Sequence, residues 1–161
     1  MHKLKSLAVV LVLLAGFSNM AMAQGTDNHT VTVEVAPISE LAITGNATLT
    51  VNSATAGSDP DDATDSSASY AVTTNQSGVK ISAASSTNFA AGITLNVVAS
   101  APAGATSVAG GADLSTTAAD VVTGLGTVSQ GGMGLAYTLS ATAAAGQLTS
   151  TAVTVTYTIT N

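Results

Sequence analysis

The chain contains no cysteine and no tryptophan, and aromatic residues make up only 3% of it. Without cysteine there can be neither a disulfide nor a thiolate ligand for a transition metal. Arginine is also absent, and after the first five residues Lys80 is the only cation, set against nine aspartates and glutamates. Proteins bind nucleic acids and anionic lipid surfaces through clustered lysines and arginines. We therefore expect neither class of partner.

The first 23 residues have the order of a secretory signal peptide. Lys3 and Lys5 give a basic start, residues 7–17 form an apolar run, and residues 21–23 are Ala-Met-Ala, a small-residue cleavage site. The run is shorter than the roughly 20 residues that span a bilayer as a helix, and no second stretch approaches that length. We expect cleavage between Ala23 and Gln24 and no membrane insertion. The product is then secreted or held at the cell surface, with the periplasm as the alternative.

Beyond residue 24, apolar residues recur at every second position. The clearest runs are Val31, Val33 and Val35, then Ile93, Leu95 and Val97, and finally Val153, Val155, Tyr157 and Ile159. Such alternation is typical of strands with one buried face, and turn residues separate the runs. The pattern predicts an all-β chain: an antiparallel β-sandwich of the immunoglobulin-like, Greek-key type with about seven to nine strands. We expect it to occupy residues 24–161 as a single domain, with residues 75–78 as a hairpin loop.

Residues 57–65 hold the one concentration of charge, with aspartates at Asp59, Asp61, Asp62 and Asp65. Calcium takes about 6 to 8 oxygen ligands, and a flexible loop with four carboxylates can supply several of them. The spacing departs from the helix-loop-helix calcium pattern, because Ala63 stands at the third ligand position and no glutamate closes the loop. A solvated loop between two strands is the favoured interpretation, and a calcium site is the alternative. No other cofactor is expected.

The residues after the leader lack the usual groups of a catalytic site. His29 is their only histidine, and a serine or threonine nucleophile needs a base of that kind. The three tyrosines, Tyr70, Tyr137 and Tyr157, fall in the apolar phase of their strands, which places them in the core instead of on a ligand-binding surface. We therefore expect that the protein is not an enzyme.

The first predicted strand, residues 29–37, offers a route to assembly. A strand at this position can pair within its own sandwich, or it can be donated to a neighbouring molecule. Donation would supply main-chain hydrogen bonds, with Val31, Val33 and Val35 as the side chains that fill the neighbour's groove. The last run, residues 152–161, could offer the receiving edge. Sequential strands usually pair within one chain, which favours self-pairing over donation.

Four features of the chain are relevant to its family: the leader, the alternating first strand, the content of alanine, threonine and glycine, and the last run Val153-Thr154-Val155-Thr156-Tyr157-Thr158-Ile159. In these features the chain loosely resembles the subunits of bacterial fimbriae and related surface fibres. The resemblance implies a β-sandwich that self-associates or binds other surface proteins.

Two classes of function follow from these observations. The first is a secreted, non-catalytic structural or adhesive subunit of an extracellular fibre, coat or biofilm matrix, assembled by strand donation. The alternative is a monomeric secreted binding module that depends on calcium in the acidic loop.

Overall fold

The computed structural model describes residues 25–161. Residues Val35–Asn161 form one compact unit, and the ten described residues before them belong to a separate unit, Met1–Glu34. The predicted signal peptide and its cleavage site between Ala23 and Gln24 lie outside the described residues.

Within residues 25–161, nine strands form two antiparallel sheets that pack into a β-sandwich. The strands are β1 (Ser39–Thr44), β2 (Ala63–Thr74), β3 (Val79–Ser85), β4 (Ile93–Ala99), β5 (Thr106–Ser107), β6 (Ala112–Asp113), β7 (Ala119–Leu125), β8 (Val128–Ala141) and β9 (Val155–Thr160). The first sheet has the order β1-β2-β8-β4-β6, and the second has the order β5-β7-β3-β9. A single 3-10 turn, Ala143–Ala145, interrupts the described strands. The predicted all-β sandwich is confirmed.

The core lies between the sheets and is made of the inward side chains of alternating strand positions. Val79 and Ile81 on β3, Val97 on β4 and Leu135 on β8 are all at most 2% exposed. Burying a side chain of this size contributes about 1.5–3 kcal/mol. The period of two therefore identifies the buried face correctly for these strands.

The predicted hairpin at residues 75–78 is wrong. β2 lies in the first sheet and β3 in the second, so the chain crosses between sheets at this turn instead of pairing back on itself. Asn75 holds the start of β1: its Oδ1 accepts from the Ile38 amide at 2.7 Å, and its Nδ2 donates to the Ala36 carbonyl at 2.8 Å. Turn residues mark a reversal, but they do not specify which sheet receives the next strand.

The expected strand at residues 29–37 is not formed. No strand is assigned between residues 25 and 38, and Val31, Val33 and Val35 are 66%, 85% and 81% exposed. The place beside β2 is taken by the next residues along, since Ser39–Thr44 pair with Ser69 to Thr74. Self-pairing, which sequence order favours, is thus absent from the described part of the chain.

Candidate functional site

The two sheets end in four edge strands, and three of them are short or carry charge. β5 and β6 have two residues each. β1 has six residues, but Glu40 lies on it and Pro37 precedes it closely. Short strands, charges and prolines are the usual means by which proteins prevent pairing at a sheet edge.

β9 carries none of these features. Its six residues, Val-Thr-Tyr-Thr-Ile-Thr, are uncharged, and its register with β3 runs from Ser85↔Val155 to Lys80↔Thr160 without a bulge. Within residues 25–161 it pairs with β3 only. β9 is therefore the edge of the described sandwich that is best suited to accept another strand.

The hydrogen bonds between β9 and β3 determine which residues of β9 have backbone amides and carbonyls that point to the free edge of the sheet. The Ser86 amide donates to the Thr154 carbonyl at 2.8 Å, which makes these two residues a hydrogen-bonded pair. In an antiparallel ladder such pairs recur at every second residue, so Thr156 and Thr158 bond to β3. The amides and carbonyls of Val155, Tyr157 and Ile159 consequently point toward the free edge.

The side chains of the same three residues point inward. Val155, Tyr157 and Ile159 are half-buried and pack against the core, whereas the threonines between them are exposed. The Tyr157 and Tyr137 hydroxyls lie 2.6 Å apart. Burial raises the pKa of both tyrosines above the ordinary value. Both hydroxyls thus belong to the interior, where the apolar phase of their strands predicts them.

The start of β1 and the end of β9 lie at the same end of the sandwich. β1 contacts β9 across the two sheets. Gln76 links their ends, because its Nε2 donates to Ser39 Oγ at 2.9 Å and its Oε1 accepts from Asn161 Nδ2 at 3.5 Å. The chain therefore enters the sandwich, at Ala36, close to where β9 ends.

Residues 30–36, here named the N-terminal segment, have the sequence Thr-Val-Thr-Val-Glu-Val-Ala. In an extended conformation the three valines lie on one side and the threonines and Glu34 on the other. This composition matches that of β9, where Val155, Tyr157 and Ile159 alternate with threonine. The described chain thus has two stretches in which apolar residues alternate with polar ones: the exposed N-terminal segment and the edge strand β9.

The four aspartates that form the alternative calcium site, Asp59, Asp61, Asp62 and Asp65, are not brought together. Within residues 25–161, no three acidic or histidine side chains converge on a common point. Three of the carboxylates are used separately: Asp59 accepts from the Ala143 amide, Asp61 accepts from the Ser53 hydroxyl, and Asp65 accepts from Thr48 and Ser67. The first bond joins the loop after β1 to the Ala143–Ala145 turn, the second lies within that loop, and the third joins the loop to β2.

Asp65 has the most elaborate of these roles. The register between β2 and β8 shifts between Asp65 and Ala68, and the Asp65 carboxylate accepts there from the Ser67 hydroxyl and amide and from the Thr48 amide. The Ser67 hydroxyl, followed by the two amides, holds the pKa of Asp65 below its ordinary value. Asp65 therefore stabilises an irregularity in β2 and fixes the chain that follows β1.

The other ionisable candidates lie apart from one another. His29 is exposed, and it makes no hydrogen bond within the described residues. Lys80 Nζ lies 3.1 Å from Asp120 Oδ2 in an ion pair whose side chains are 46% and 38% exposed. An open depression of about 230 Å³ is lined by Asn88, Phe89, Ile93 and neighbouring residues. It is smaller than the roughly 300–1,000 Å³ of a typical ligand pocket.

Comparisons with protein-family models, with curated proteins and with solved structures find no match to this chain. Over residues 25–161, the structure contains no helix with the length and apolar character needed to cross a bilayer.

Sequence reasoning missed two parts of this arrangement. It did not identify Asn75 as the group that fixes Ala36 and Ile38, nor Gln76 as the link between β1 and β9. Both residues stand in the turn that was expected to be a hairpin loop, and hydrogen bonds between residues 37 and 39 positions apart leave no local signal. The asparagine itself was the available signal, because its side chain often bonds to backbone groups.

Proposed function

We propose that the protein is a secreted, non-catalytic structural or adhesive subunit that assembles with copies of itself into an extracellular fibre, coat or biofilm matrix. Assembly occurs by donation of the N-terminal segment to a neighbouring sandwich. The observation that carries the proposal is the exposure of Val31, Val33 and Val35, at 66%, 85% and 81%, in a segment that belongs to no strand of its own sandwich.

Exposed valines with this spacing need a partner. Isolated exposed apolar residues are common, but three in one phase over five residues form a continuous apolar stripe when the segment is extended. Burying each valine would contribute about 1.5–3 kcal/mol to an assembly, and a strand ladder would satisfy the segment's amides and carbonyls. Strand addition to an open edge provides both contributions at once.

The composition of the remainder supports a contact role over a chemical one. His29 has no catalytic partner within the described residues, and Asp59, Asp61 and Asp65 each accept a hydrogen bond from a loop residue. The leader-like first 23 residues support export, which places such a subunit where fibres and coats are built.

The test is the assembly state of the protein recovered from outside the cytoplasm. Sedimentation velocity over a range of concentrations, with electron microscopy, should show multimers for the unaltered chain. A variant with Val31→Thr, Val33→Thr and Val35→Thr should stay monomeric. Threonine has nearly the shape of valine, but burial of its hydroxyl is unfavourable. The matched control, Thr30→Ser with Thr32→Ser, alters the opposite side of the segment and should assemble as the unaltered chain does.

The triple variant should keep a far-ultraviolet spectrum dominated by β-sheet and a cooperative thermal transition, since the three valines lie outside the sandwich core. If the unaltered chain stays monomeric at every concentration, or if it is recovered only inside the cell with its leader uncut, the proposal is refuted.

A further inference from the structure

We infer that the acceptor for the N-terminal segment is the free edge of β9 in a second copy of this chain, with Val31, Val33 and Val35 in phase with Val155, Tyr157 and Ile159. The inference rests on the proposed function and adds to it the receiving strand and the pairing phase.

The first reason is the choice of edge. A donated strand needs a partner several residues long, which β5 and β6, at two residues each, do not offer. On β1 the donated Glu34 would lie near Glu40, and the like charges would repel. β9 is uncharged over Val155–Thr160 and runs without a bulge, so it accepts the segment at no electrostatic cost.

The second reason is the backbone. Val155, Tyr157 and Ile159 turn their amides and carbonyls away from β3, and within the described residues nothing bonds to these groups. Each residue has one donor and one acceptor, so the edge presents both kinds of group at alternate positions. The N-terminal segment, which belongs to no ladder, has the complementary groups free.

The third reason is the side-chain phase. A strand added beside β9 must place its apolar residues on the inward side of the sheet, next to the half-buried Val155, Tyr157 and Ile159. Leu41 of β1, on the opposite sheet, is also half-buried and packs against the same core. The three valines of the segment then extend the core, and its threonines and Glu34 join the exposed threonines of β9.

The fourth reason concerns why the acceptor is a second molecule. Ala36 and Ile38 are both bonded to the side chain of Asn75, and Pro37 between them has a fixed φ and no amide hydrogen. These three residues are committed to the entry into β1. To pair with β9 of its own molecule, the segment would need a turn before Ala36. That turn would use residues of the segment itself, so fewer valines would remain to pair with β9.

Cysteine cross-linking tests the inference, and the absence of cysteine from the chain gives a clean background. If Val33 lies opposite Tyr157, Thr32 lies opposite Thr158 in an antiparallel pair and opposite Thr156 in a parallel pair. Purified Thr32→Cys protein is mixed with Thr158→Cys or with Thr156→Cys protein under mild oxidation. Because each molecule has one cysteine, only a contact between copies gives the mixed disulfide.

We expect one of the two mixtures to give a dimer on a non-reducing gel that neither protein gives when oxidised alone, and with Val33 opposite Tyr157 the reacting mixture indicates the strand direction. The matched control mixes Thr32→Cys with Thr44→Cys, an exposed position on the β1 edge, and should give no such shift. Adding Val33→Thr to the Thr32→Cys protein should abolish the dimer.

The outcomes separate the two proposals. Assembly in sedimentation with cross-linking at Thr44, or at none of the three positions, refutes β9 as the acceptor and leaves the subunit function standing. Absence of assembly refutes both.

Discussion

At the scale of single residues, the most informative side chain is that of Asp65. Its carboxylate accepts three hydrogen bonds, from the Ser67 hydroxyl, the Ser67 amide and the Thr48 amide, where β2 shifts its register. A carboxylate in the acidic loop therefore has a structural use that explains its presence without a metal ion. Its neighbour Asp62 accepts no hydrogen bond within the described residues, and it provides a natural comparison.

We expect Asp65→Asn to lower the unfolding midpoint, because the amide nitrogen cannot accept the hydrogen bonds that the carboxylate oxygen accepts. The pKa of Asp65 is lowered in the folded state, so its contribution is present above the unfolded value of about 3.9 and is lost as pH falls through the lower folded value. Thermal unfolding at pH 7 and pH 3 should show a smaller acid-induced loss in this variant than in the unaltered chain. Asp62→Asn should behave as the unaltered chain at both values; an equal effect from the two substitutions would contradict the role assigned to Asp65.

Tyr70 gives the corresponding prediction at high pH. It is 3% exposed, its hydroxyl donates to the Ser100 carbonyl, and burial raises its pKa to about 12. A raised pKa means that the stability is fully present below the unfolded value of about 10 and is lost as pH rises toward 12. Tyr70→Phe should cost about 0.5–1.5 kcal/mol at pH 7 through the lost hydrogen bond. The substitution should also make the decline of the unfolding free energy above pH 10 shallower, as measured by chemical unfolding at several pH values. An unchanged pH dependence would show that burial of this hydroxyl does not cause the decline.

At the scale of the elements, the turn between β5 and β6 depends on Gly111. Gly110 and Gly111 both have φ of +75°, but only at Gly111 would an added Cβ overlap the Val97 carbonyl oxygen on β4. Gly110→Ala should cost about 1–2 kcal/mol from its left-handed backbone alone. Gly111→Ala should cost about 1–3 kcal/mol more, because the neighbouring strand must shift. Urea unfolding of the two variants measures the difference, and equal costs would contradict the close approach of the turn to β4.

The strands and their buried faces could be predicted from the sequence because a period of two is a local signal. It identifies Val79 and Ile81, Leu95 and Val97, and Tyr137 as inward residues, and the structure buries all of them. It does not specify partners. The alternation at Val31 to Val35 is as regular as that of β9, yet the chain has no strand there, because whether an alternating segment finds a neighbour depends on which edges the rest of the chain leaves open.

The candidate site was accessible from the sequence only in part. The N-terminal segment and the last strand are both visible as alternating runs, but the four aspartates of the acidic loop suggested a common site that the fold does not build. Residues that are close along a loop need not have side chains that meet in space. Asp59 binds the Ala143 amide, whereas Asp65 binds the Thr48 amide. The hydrogen-bond phase of β9 depends on its pairing with β3 and therefore requires the structure.

At the scale of the whole molecule, the described sandwich combines a well-buried core with one unprotected edge strand. Three edges of the described sandwich are short or charged, and the fourth, β9, has six uncharged residues and an unbroken register with β3. Unprotected edges of this kind favour pairing with another chain, and they are a liability unless such pairing is the function. The same chain holds an exposed segment of matching length and alternation, and the pairing between copies that we propose would explain both features.

Amide hydrogen exchange of assembled protein, compared with the monomeric Val31→Thr, Val33→Thr, Val35→Thr variant, tests this claim most directly. Thr156 and Thr158 bond to β3 and should exchange slowly in both, which provides an internal control within one strand. Val155, Tyr157 and Ile159 should exchange rapidly in the monomer and slowly in the assembly, and residues 30–36 should gain protection with them. Equal exchange of these amides in the two samples, with the unaltered protein multimeric, would contradict the account.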